Sequence, residues 1–358
     1  MVFREYFPCN VETDRMEKIL SEDIRSIYEK IENEDSKYVF ENRFMYSLTG
    51  DYEYIRRIVM NTATGKMTDK LLRGKLYIYG SGKRGRTLLE NFPDKEWQGF
   101  IDANKEGLYD GYPIYRLCDF QYIAGTSIVI SNKCGYEEIK EVLIKEKGVP
   151  EEKIIVFELL YKQAWKVRYF EPKCLKKYPM ENQIFMDLGC YDGIDAIRAL
   201  DFFGEKVNVY AVEPDKENYV ICKKKLESYD NILLLNQGVG KKREKRFFVE
   251  GGEGARFSEE GDVLVDIDTI DHIVGEKSVG FIKMDIEGYE EEALLGGAET
   301  IKRCKPVLAI CIYHKRTDVW RIPLTILKLN ANYRFYLGHY TLSWGDTVLY
   351  AVDPETLL

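Results

Sequence analysis

The stretch that decides the fold is Gly280–Gly297, GFIKMDIEGYEEEALLGG. Phe281–Met284 is a short apolar run that predicts a buried strand, and a helix is predicted to begin soon after Gly288. Asp285 and Glu287 lie between the two, where burying a charge is costly unless the charge is paired or bound. Two carboxylates at the exit of a strand therefore indicate a ligand site at the edge of a sheet.

The same alternation of strand and helix extends on both sides of this stretch. From Ile184 onward, five parallel strands with right-handed crossovers are predicted by IFMDLG, VNVYAVEP, NILLLNQGVG, SVGFIKMDIEG and KPVLAICIYH. The last two apolar runs, NYRFYLGHY and DTVLYAV, are too close for a crossover and predict an antiparallel pair. Residues 184–358 are therefore predicted to form a doubly wound α/β sheet with an antiparallel last strand.

A smaller α/β domain is predicted before this sheet. Residues 1–72 carry apolar side chains at three- and four-residue spacing, which predicts a helical N-terminal segment. Residues 73–160 alternate strands and helices around a glycine-rich turn and predict a Rossmann-like domain. The polar, proline-containing residues 161–183 are predicted to carry the linker.

The bulk composition excludes several functional classes. The 358 residues carry a net charge of −8, which argues against nucleic acid as the main partner because phosphate binding favours clustered Lys and Arg. No apolar run approaches the length of a membrane span, and the N-terminal residues lack the apolar core of a signal peptide. The eight cysteines form no C-x-x-C pair, which favours reduced thiols in a cytoplasmic protein.

The glycine loop after the first strand of the C-terminal half favours a cationic ligand. Gly189 and Gly193 are spaced G-x-x-x-G, unlike the G-x-G-x-x-G of a dinucleotide site. Asp187 and Asp192 flank the loop and would repel a phosphate, whereas they can hold a cation or its amino group. Glu213 ends the second strand, where an acid can accept two hydrogen bonds from a ribose diol. S-adenosylmethionine, which has a sulfonium and no phosphate, fits this pattern.

Five segments resemble the FkbM family of S-adenosylmethionine-dependent methyltransferases over Ile184–Asp353; they are IFMDLGCYDGIDA, VYAVEPDKENYVICKKKL, NILLLNQGVG, FIKMDIEGYEEEALLGGAETIKRCKPVLAICIYHK and DTVLYAV. The resemblance implies a class I methyltransferase that acts on an oxygen atom of a sugar, glycan or related metabolite. Together with the glycine loop, it places the predicted cofactor contacts at Asp187, Gly189, Cys190, Tyr191, Asp192, Gly193, Glu213, Pro214, Gln237, Gly238 and Asp285.

The predicted catalytic residues are Asp285, Glu287 and His314. Asp285 is the candidate for contact with the acceptor or the cofactor amine, and His314 is the candidate base for the acceptor hydroxyl. Glu287 is alternatively a helix cap and His314 a structural histidine, and the three side chains together could instead hold a divalent ion. Of the other histidines, His272 is predicted on a surface helix and His339 is a candidate for the acceptor pocket.

The N-terminal half has a glycine loop of the opposite character. YIYGSGKRGRTLL contains a G-x-G-x-x-G after a strand, and its basic residues favour a phosphate. The predicted ligand contacts are Gly80, Gly82, Lys83, Arg84, Gly85 and Asp102. Through YIYGSGKRGR and GFIDANKEGLYDGYPIY, this half resembles the Rossmann-like domains of sugar O-acetyltransferases, which implies a nucleotide-sugar ligand. A purely structural or oligomerising domain is the alternative.

Three functions are weighed on this basis. The leading one is an O-methyltransferase; its rivals are an NAD(P)-type oxidoreductase that uses the N-terminal loop and a non-catalytic nucleotide-binding or assembly module. The glycine-rich segment Glu250–Asp262 is predicted as either a mobile lid or a plain surface loop. The acceptor is not specified by the sequence, and a homo-oligomer is left open.

Overall fold

The computed structural model describes residues 21–172, 175, 178–204, 206–249, 256–258, 261 and 263–357. The chain forms two compact units. The N-terminal unit comprises Thr49–Arg168 and His339–Asp346. The C-terminal unit comprises the described parts of Met1–Leu48, Tyr169–Gly338 and Thr347–Leu358.

This division differs from the four segments predicted, because the first helices do not form one segment. Residues 21–28 are helical, and they belong to the C-terminal unit together with most of α1 (Glu34–Thr49). The helices α2 (Glu53–Asn61) and α3 (Ala63–Leu71) belong to the N-terminal unit. Helical periodicity shows that one face is buried, but it does not show which sheet buries that face.

The N-terminal unit is built on a six-stranded sheet in the order β3-β4-β2-β1-β5-β6. Its elements are β1 (Lys75–Tyr79), α4 (Lys83–Asn91), β2 (Glu96–Asp102), β3 (Gly107–Tyr109), β4 (Tyr112–Arg116), β5 (Ser127–Ile130), α5 (Tyr136–Lys145), a 3₁₀ turn (Glu151–Lys153), β6 (Ile154–Val156) and α6 (Phe157–Trp165). All pairs are parallel except β3 with β4. Four consecutive buried residues in β1 are typical of a parallel strand covered on both faces.

One short segment of the N-terminal unit comes from far along the chain. Within His339–Asp346, the Leu342 backbone N–H donates to the Tyr161 hydroxyl over 3.1 Å, and its carbonyl accepts from Asn91 Nδ2 over 2.6 Å. The boundary between the units, at Arg168 and Tyr169, falls within the predicted linker 161–183; Tyr161 is buried in the N-terminal unit and Tyr169 in the C-terminal unit.

The C-terminal unit contains a seven-stranded sheet in the order β16-β17-β15-β14-β7-β8-β9. The elements in chain order are β7 (Ile184–Leu188), α7 (Ile194–Phe203), β8 (Asn208–Val212), α8 (Lys216–Leu226), β9 (Ile232–Leu235), β10 (Gly238–Val239), β11 (Glu244–Val249), β12 (Arg256–Ser258), β13 (Val263–Asp268), α9 (Ile270–Val274), β14 (Val279–Met284), α10 (Glu290–Gly296), α11 (Ala298–Cys304), β15 (Val307–Cys311), α12 (Asp318–Leu329), β16 (Arg334–His339), β17 (Thr347–Val352) and a 3₁₀ turn (Pro354–Leu357).

The predicted fold class is confirmed by the pairing of these strands. Five neighbours, β15, β14, β7, β8 and β9, run parallel, and β17 is antiparallel to β15. The central strands β7 and β14 are buried throughout, and Phe185 stacks on Phe281 with ring centroids 4.9 Å apart. Because parallel strands end at the same edge, the residues that follow β7, β8, β14 and β15 are brought together there.

A second, four-stranded sheet in the order β10-β13-β11-β12 was not predicted. The predicted lid, Glu250–Asp262, lies outside the described residues apart from 256–258 and 261, so its role stays a prediction. Over the described part of the chain, no helix has the length and apolar character to cross a bilayer. The cytoplasmic location stays a prediction as well.

Candidate functional site

The loop after β7 packs tightly against the loop after β14. Gly189 has φ of 74°, and a Cβ on it would lie only 1.9 Å from the backbone oxygen of Asp285. A side chain there is therefore excluded by the neighbouring backbone. This packing requires glycine whether or not a ligand binds, and the predicted contact of Gly189 with a cofactor stays a prediction.

The side chain of Lys283 in β14 binds the loop after β7. Its Nζ lies 2.8 Å from Asp187 Oδ1 and donates to the Gly189 carbonyl over 2.6 Å, while its side chain is only 2% exposed. Burial lowers the pKa of the Lys283 ammonium, but the carboxylates of Asp187, Asp195 and Asp285 together raise it above its usual value. Asp187, predicted as a cofactor contact, is thus neutralised inside the protein, and its observed role is to fix the loop.

Glu213, directly after β8, faces the same loop. Its Oε2 accepts from the Tyr191 backbone N–H over 2.8 Å, and its Oε1 accepts from the Asp215 N–H over 3.0 Å. Burial raises the pKa of the Glu213 carboxyl to about 7. Asn236 donates to the Glu213 carbonyl over 2.8 Å and thereby fixes the turn. The predicted ribose acid is therefore held rigidly at the crest of the sheet.

The remaining predicted contacts of the β7 loop have partners within the unit. Cys190 Sγ lies 3.6 Å from Cys222 Sγ, and Asp192 Oδ2 accepts from Lys225 Nζ over 2.5 Å. Gly193 is the N-cap of α7 with φ of 75°. Tyr191 is exposed and has φ of 50°, a conformation uncommon for residues other than glycine.

The other predicted cofactor contacts lie near this loop in sequence but differ in their surroundings. Pro214 follows Glu213 and its carbonyl accepts from Asn236. Gln237 is half-buried between β9 and β10. Gly238 lies in β10, where it pairs with Ile267 of β13. Contact of these residues with a cofactor stays a prediction.

Asp285, the first carboxylate after β14, is anchored by two tyrosines. The Tyr169 hydroxyl donates to Oδ2 over 3.1 Å, and the Tyr313 hydroxyl donates to Oδ1 over 3.0 Å. Lys283 precedes Asp285 by two residues, so a buried cation and two hydroxyls stabilise its charge. The burial of this acid is therefore offset within the protein.

His314, after β15, lies among three carboxylates. Its Nδ1 is 2.9 Å from Glu290 Oε1, and its Nε2 is 3.4 Å from Asp285 Oδ1 and 3.6 Å from Glu287 Oε2. Burial lowers the pKa of the His314 ring, but Glu290, Asp285 and Glu287 raise it more, to about 9. The surrounding carboxylates thus favour the protonated ring, and the role of His314 as base stays a prediction.

Glu287 adopts an unusual backbone conformation. It has φ of 54°, and Gly288 follows with φ of 92°. The helix α10 has Tyr289 as its N-cap and no side-chain cap, so the alternative that Glu287 caps this helix does not describe the structure. Glu290 instead accepts from the Ile286 N–H over 3.0 Å. Strained positions of this kind cluster at functional sites.

The other two histidines lie on other elements, His272 on α9 and His339 at the end of β16. His272 is exposed on α9, as predicted, with its Nδ1 2.8 Å from Asp268 Oδ2. His339 is buried and belongs to the segment that counts with the N-terminal unit, so its acceptor-pocket role stays a prediction. Within the described residues, no cluster of His, Cys, Asp and Glu has the arrangement of a metal site.

Sequence reasoning missed three members of the cluster: Tyr169, Tyr313 and Glu290. Tyr169 lies in the predicted linker, 116 residues before its partner Asp285, and no local pattern connects the two. Tyr313 directly precedes His314 at the exit of β15, so its place after a buried strand was a usable signal. Glu290 is one of three consecutive acids, and the sequence gives no reason to prefer it to its neighbours.

The glycine loop of the N-terminal unit is hydrogen-bonded to Asp102, the acid at the end of β2. Asp102 Oδ2 accepts from the Ser81 hydroxyl over 2.6 Å and from the Ser81 N–H over 3.1 Å, and its Oδ1 accepts from the N–H groups of Asn104 and Lys105. Burial raises the pKa of Asp102, but these hydrogen bonds lower it below its usual value. Asp102 therefore clamps the loop, which uses the acceptor positions that a ribose would need.

The other predicted residues of that loop are also partly engaged. Arg84 pairs with the buried Glu158 over 2.6 Å, and Lys83 lies 5.8 Å from the Trp344 ring centroid. A Cβ on Gly85 would lie 2.1 Å from the Gly80 carbonyl, and Gly82 is the N-cap of α4. Gly85 is therefore required by the close turn, whether or not a ligand binds, whereas a Cβ on Gly82 would have no atom of the described residues within 4 Å.

The sheet order, the antiparallel β17 and the acids at the carboxyl edge define a class I methyltransferase architecture. The family described as "Methyltransferase FkbM domain" matches residues 155–337, just over half of the chain. The chain belongs to this FkbM methyltransferase family. No curated protein matches it.

Solved structures give more distant likenesses. An FkbM methyltransferase from Methylobacillus flagellatus KT is 19% identical, with 87% of this chain and 99% of that chain covered and a TM-score of 0.47. A SAM-dependent methyltransferase from Aquifex aeolicus is 18% identical over 54% of this chain and 98% of that chain, with a TM-score of 0.32. Fibrillarin from Aeropyrum pernix, with natively bound S-adenosyl-L-methionine, is 13% identical over 53% and 74%, with a TM-score of 0.34. Likenesses this distant bear on no functional conclusion.

Proposed function

We propose that this protein is an S-adenosylmethionine-dependent O-methyltransferase that acts on a hydroxyl of a sugar, glycan or related metabolite. Membership of the FkbM methyltransferase family supports methyl transfer. The observation that carries the proposal is the rigid placement of Glu213 beside the β7 loop, with Asp285 on the adjacent strand edge. Glu213 can accept hydrogen bonds from the ribose diol, and the nearby Asp285 favours a cation. Both features suit S-adenosylmethionine.

The residues present fit the cofactor. The Glu213 carboxylate has about four acceptor positions; two backbone N–H groups and the more distant Asn218 Nδ2, at 3.5 Å, use three of them and leave room for a ribose hydroxyl. Burial raises the pKa of Glu213 in spite of its present donors, and a diol hydroxyl would add a further hydrogen bond to the charged form. A pyrophosphate at the same place would face Glu213 and Asp285 as like charges. When bound, S-adenosylmethionine supplies a methyl group on a sulfonium, which makes that carbon electrophilic.

The chain's own residues account for the remaining chemistry. A sugar hydroxyl is a weak nucleophile until its proton begins to leave, so a proton acceptor within reach is required. Three carboxylates, Asp285, Glu287 and Glu290, surround His314 near the exits of β14 and β15. Their combined negative charge favours a cationic reactant and accommodates the released proton.

The proposal is tested by incubating the full chain with methyl-labelled S-adenosylmethionine and a panel of nucleotide sugars, oligosaccharides and natural-product alcohols. The expected result is label in an ether of one panel member, together with cofactor binding in calorimetry. Label on a nitrogen atom would show that the acceptor atom is not the oxygen proposed here. The absence of cofactor binding would overturn the proposal altogether.

A nucleotide-sugar at the N-terminal glycine loop is retained as a separate proposal. The N-terminal N–H groups of α4 and the Lys83 ammonium support an anionic ligand. The four hydrogen bonds already made by Asp102 count against an oxidoreductase that grips a ribose there. Calorimetry with UDP-sugars and with NAD(P) on the full chain separates these ligands.

A further inference from the structure

The starting observation is that both ring nitrogens of His314 face carboxylates. Glu290 lies 2.9 Å from Nδ1, and Asp285 and Glu287 lie 3.4 Å and 3.6 Å from Nε2. The three contacts are ion pairs and not hydrogen bonds of good geometry. Carboxylates on both sides of the ring stabilise it when it carries a positive charge, as an imidazolium.

The groups around the ring favour this charged form. The titratable groups near His314 are Asp285 and Glu287 from the loop after β14, Glu290 from α10, Asp318 from α12 and the adjoining Tyr313. Lys315, next in the chain, donates to the Gly288 carbonyl. Glu290 is only 1% exposed, so its charge acts on His314 with little screening by water.

The three carboxylates differ in their access to a substrate. The side chain of Glu287 is 44% exposed, whereas those of Asp285 and Glu290 are 17% and 1% exposed. Each oxygen of Asp285 already accepts a tyrosine hydroxyl, so part of its acceptor capacity is used. Glu290 is occupied by His314 and the Ile286 N–H. Glu287 is therefore the carboxylate that an acceptor hydroxyl can reach.

We propose that Glu287, rather than His314, takes the proton of the acceptor hydroxyl, and that His314 is a positioning residue that holds Glu287 and Asp285 as a fixed imidazolium. This inference rests on the proposed function. The acceptor oxygen forms a bond to the methyl carbon while the carbon–sulfur bond breaks and leaves its electron pair on sulfur. The hydroxyl proton goes to Glu287 and then to water.

The left-handed backbone at Glu287 agrees with this role. A φ of 54° is unfavourable for a residue other than glycine, so this conformation persists only where its surroundings hold it. The following Gly288 has φ of 92° and lies close to the Lys315 side chain, which bonds its carbonyl. The turn is therefore held from outside, and it keeps Glu287 beside His314 without making it part of α10.

The state of His314 is tested first by NMR titration of the ring protons in the full chain without ligand. The chain has only three histidines, and the His314 signal is identified by its loss in His314→Gln. The expected result is a cationic ring at pH 7 that titrates near pH 9. In Glu290→Gln, the midpoint is expected to fall by a unit or more. A neutral ring at pH 7 in the wild type would overturn the proposal, whatever the activity.

The proton acceptor is tested by the label-transfer assay described above. Glu287→Gln is expected to lower kcat by about 10²- to 10⁴-fold, with cofactor affinity within about twofold of the wild type. The matched control is Glu292→Gln, an exposed acid on α10, which should keep wild-type kcat. Wild-type kcat in Glu287→Gln would refute its role. If the wild type does not bind S-adenosylmethionine, the proposed function is refuted instead. The titration result for His314 would still hold.

The pH dependence of kcat separates the two assignments. With Glu287 as base and His314 as imidazolium, kcat is expected to be constant around neutral pH and to fall as His314 loses its proton near pH 9. With His314 as base, kcat would rise through the same range. His314→Gln should lower kcat and remove the decline near pH 9; a decline that persists in this variant would contradict the positioning role.

Discussion

Lys283 and Asp187 form an ion pair across the two central strands of the C-terminal sheet, with Nζ 2.8 Å from Oδ1 and both side chains buried. The pair connects β7, which precedes the loop with Gly189, to β14, which precedes the loop with Asp285. Lys283 also donates to the Gly189 carbonyl. A single cation thus fixes the loop that carries Gly189 and the strand that leads to Asp285.

Removing one partner of this pair should be strongly destabilising. Lys283→Met leaves the Asp187 carboxylate buried without its cation, and a loss of about 3–5 kcal/mol in unfolding free energy is expected. Urea unfolding measures this loss. The double variant Lys283→Met, Asp187→Leu should recover most of the stability, because no uncompensated charge remains. If the double variant is as unstable as the single one, the pair has a different role.

Substitution of Gly189 should cost more than its backbone conformation alone explains. Gly189→Ala places a Cβ within 1.9 Å of the Asp285 oxygen and is expected to lower both unfolding free energy and cofactor affinity. The control is Gly135→Ala, which has φ of 68° but no atom closer than 3.8 Å to the added carbon. The control should cost about 1–2 kcal/mol. Equal losses in the two variants would show that the contact with Asp285 is unimportant.

Glu213 should determine cofactor affinity. Glu213→Gln keeps the size of the side chain but loses the charged acceptor, and affinity for S-adenosylmethionine should fall by about tenfold or more, as for hydrogen bonds to a charged group. Calorimetry measures the change. Glu217→Gln, an exposed acid at the start of α8, is the control and should bind normally. Unchanged affinity in Glu213→Gln would reject the assignment of Glu213 to the ribose.

The same side chain predicts how stability depends on pH. Burial raises the pKa of Glu213 to about 7, above the usual value of about 4.3 for an unfolded chain. Between these values the folded state binds a proton that the unfolded state lacks, so unfolding free energy should fall as pH rises from about 4.3 to about 7. Glu213→Gln should reduce this fall in denaturation curves measured without cofactor. An identical fall in wild type and variant would place the cause elsewhere.

His314 should contribute in a higher pH range. Its pKa of about 9 lies above the usual 6.5, so its stabilisation is complete below pH 6.5 and is lost as pH rises through about 9. Unfolding free energy should therefore decline between these values, and less so in Glu290→Gln. A wild-type curve that is flat over this range would contradict the charged state of the ring.

The fold was largely predictable because its strands have strong local signals. The apolar runs from Ile184 and Val279 are buried throughout, as parallel central strands require. The four-stranded sheet was missed because β10 has two residues and β12 three, which is too short for a periodic pattern. Family membership and the sheet were thus accessible from sequence.

The site was predictable only at strand exits. Glu213, Asp285 and His314 follow buried strands, and the topology of a parallel sheet brings such residues to one edge. Tyr169 was missed because its partner is distant in the chain, and the ion pair of Asp187 with Lys283 was missed because it lies across two strands. The contact of His314 with Glu290 was missed because the position of Glu290 relative to the ring is revealed only by the three-dimensional structure.

The discontinuity of the two units has a practical consequence for dissecting the protein. A fragment that starts at Tyr169 would contain His339–Asp346 but lack Asn91 and Tyr161, which bond the Leu342 backbone. Those peptide groups would then have to find water or remain unsatisfied, at a cost of about 1–3 kcal/mol for each buried group. Expression of a separate fragment is therefore a poor way to study the C-terminal unit. Point substitutions in the full chain are the better method.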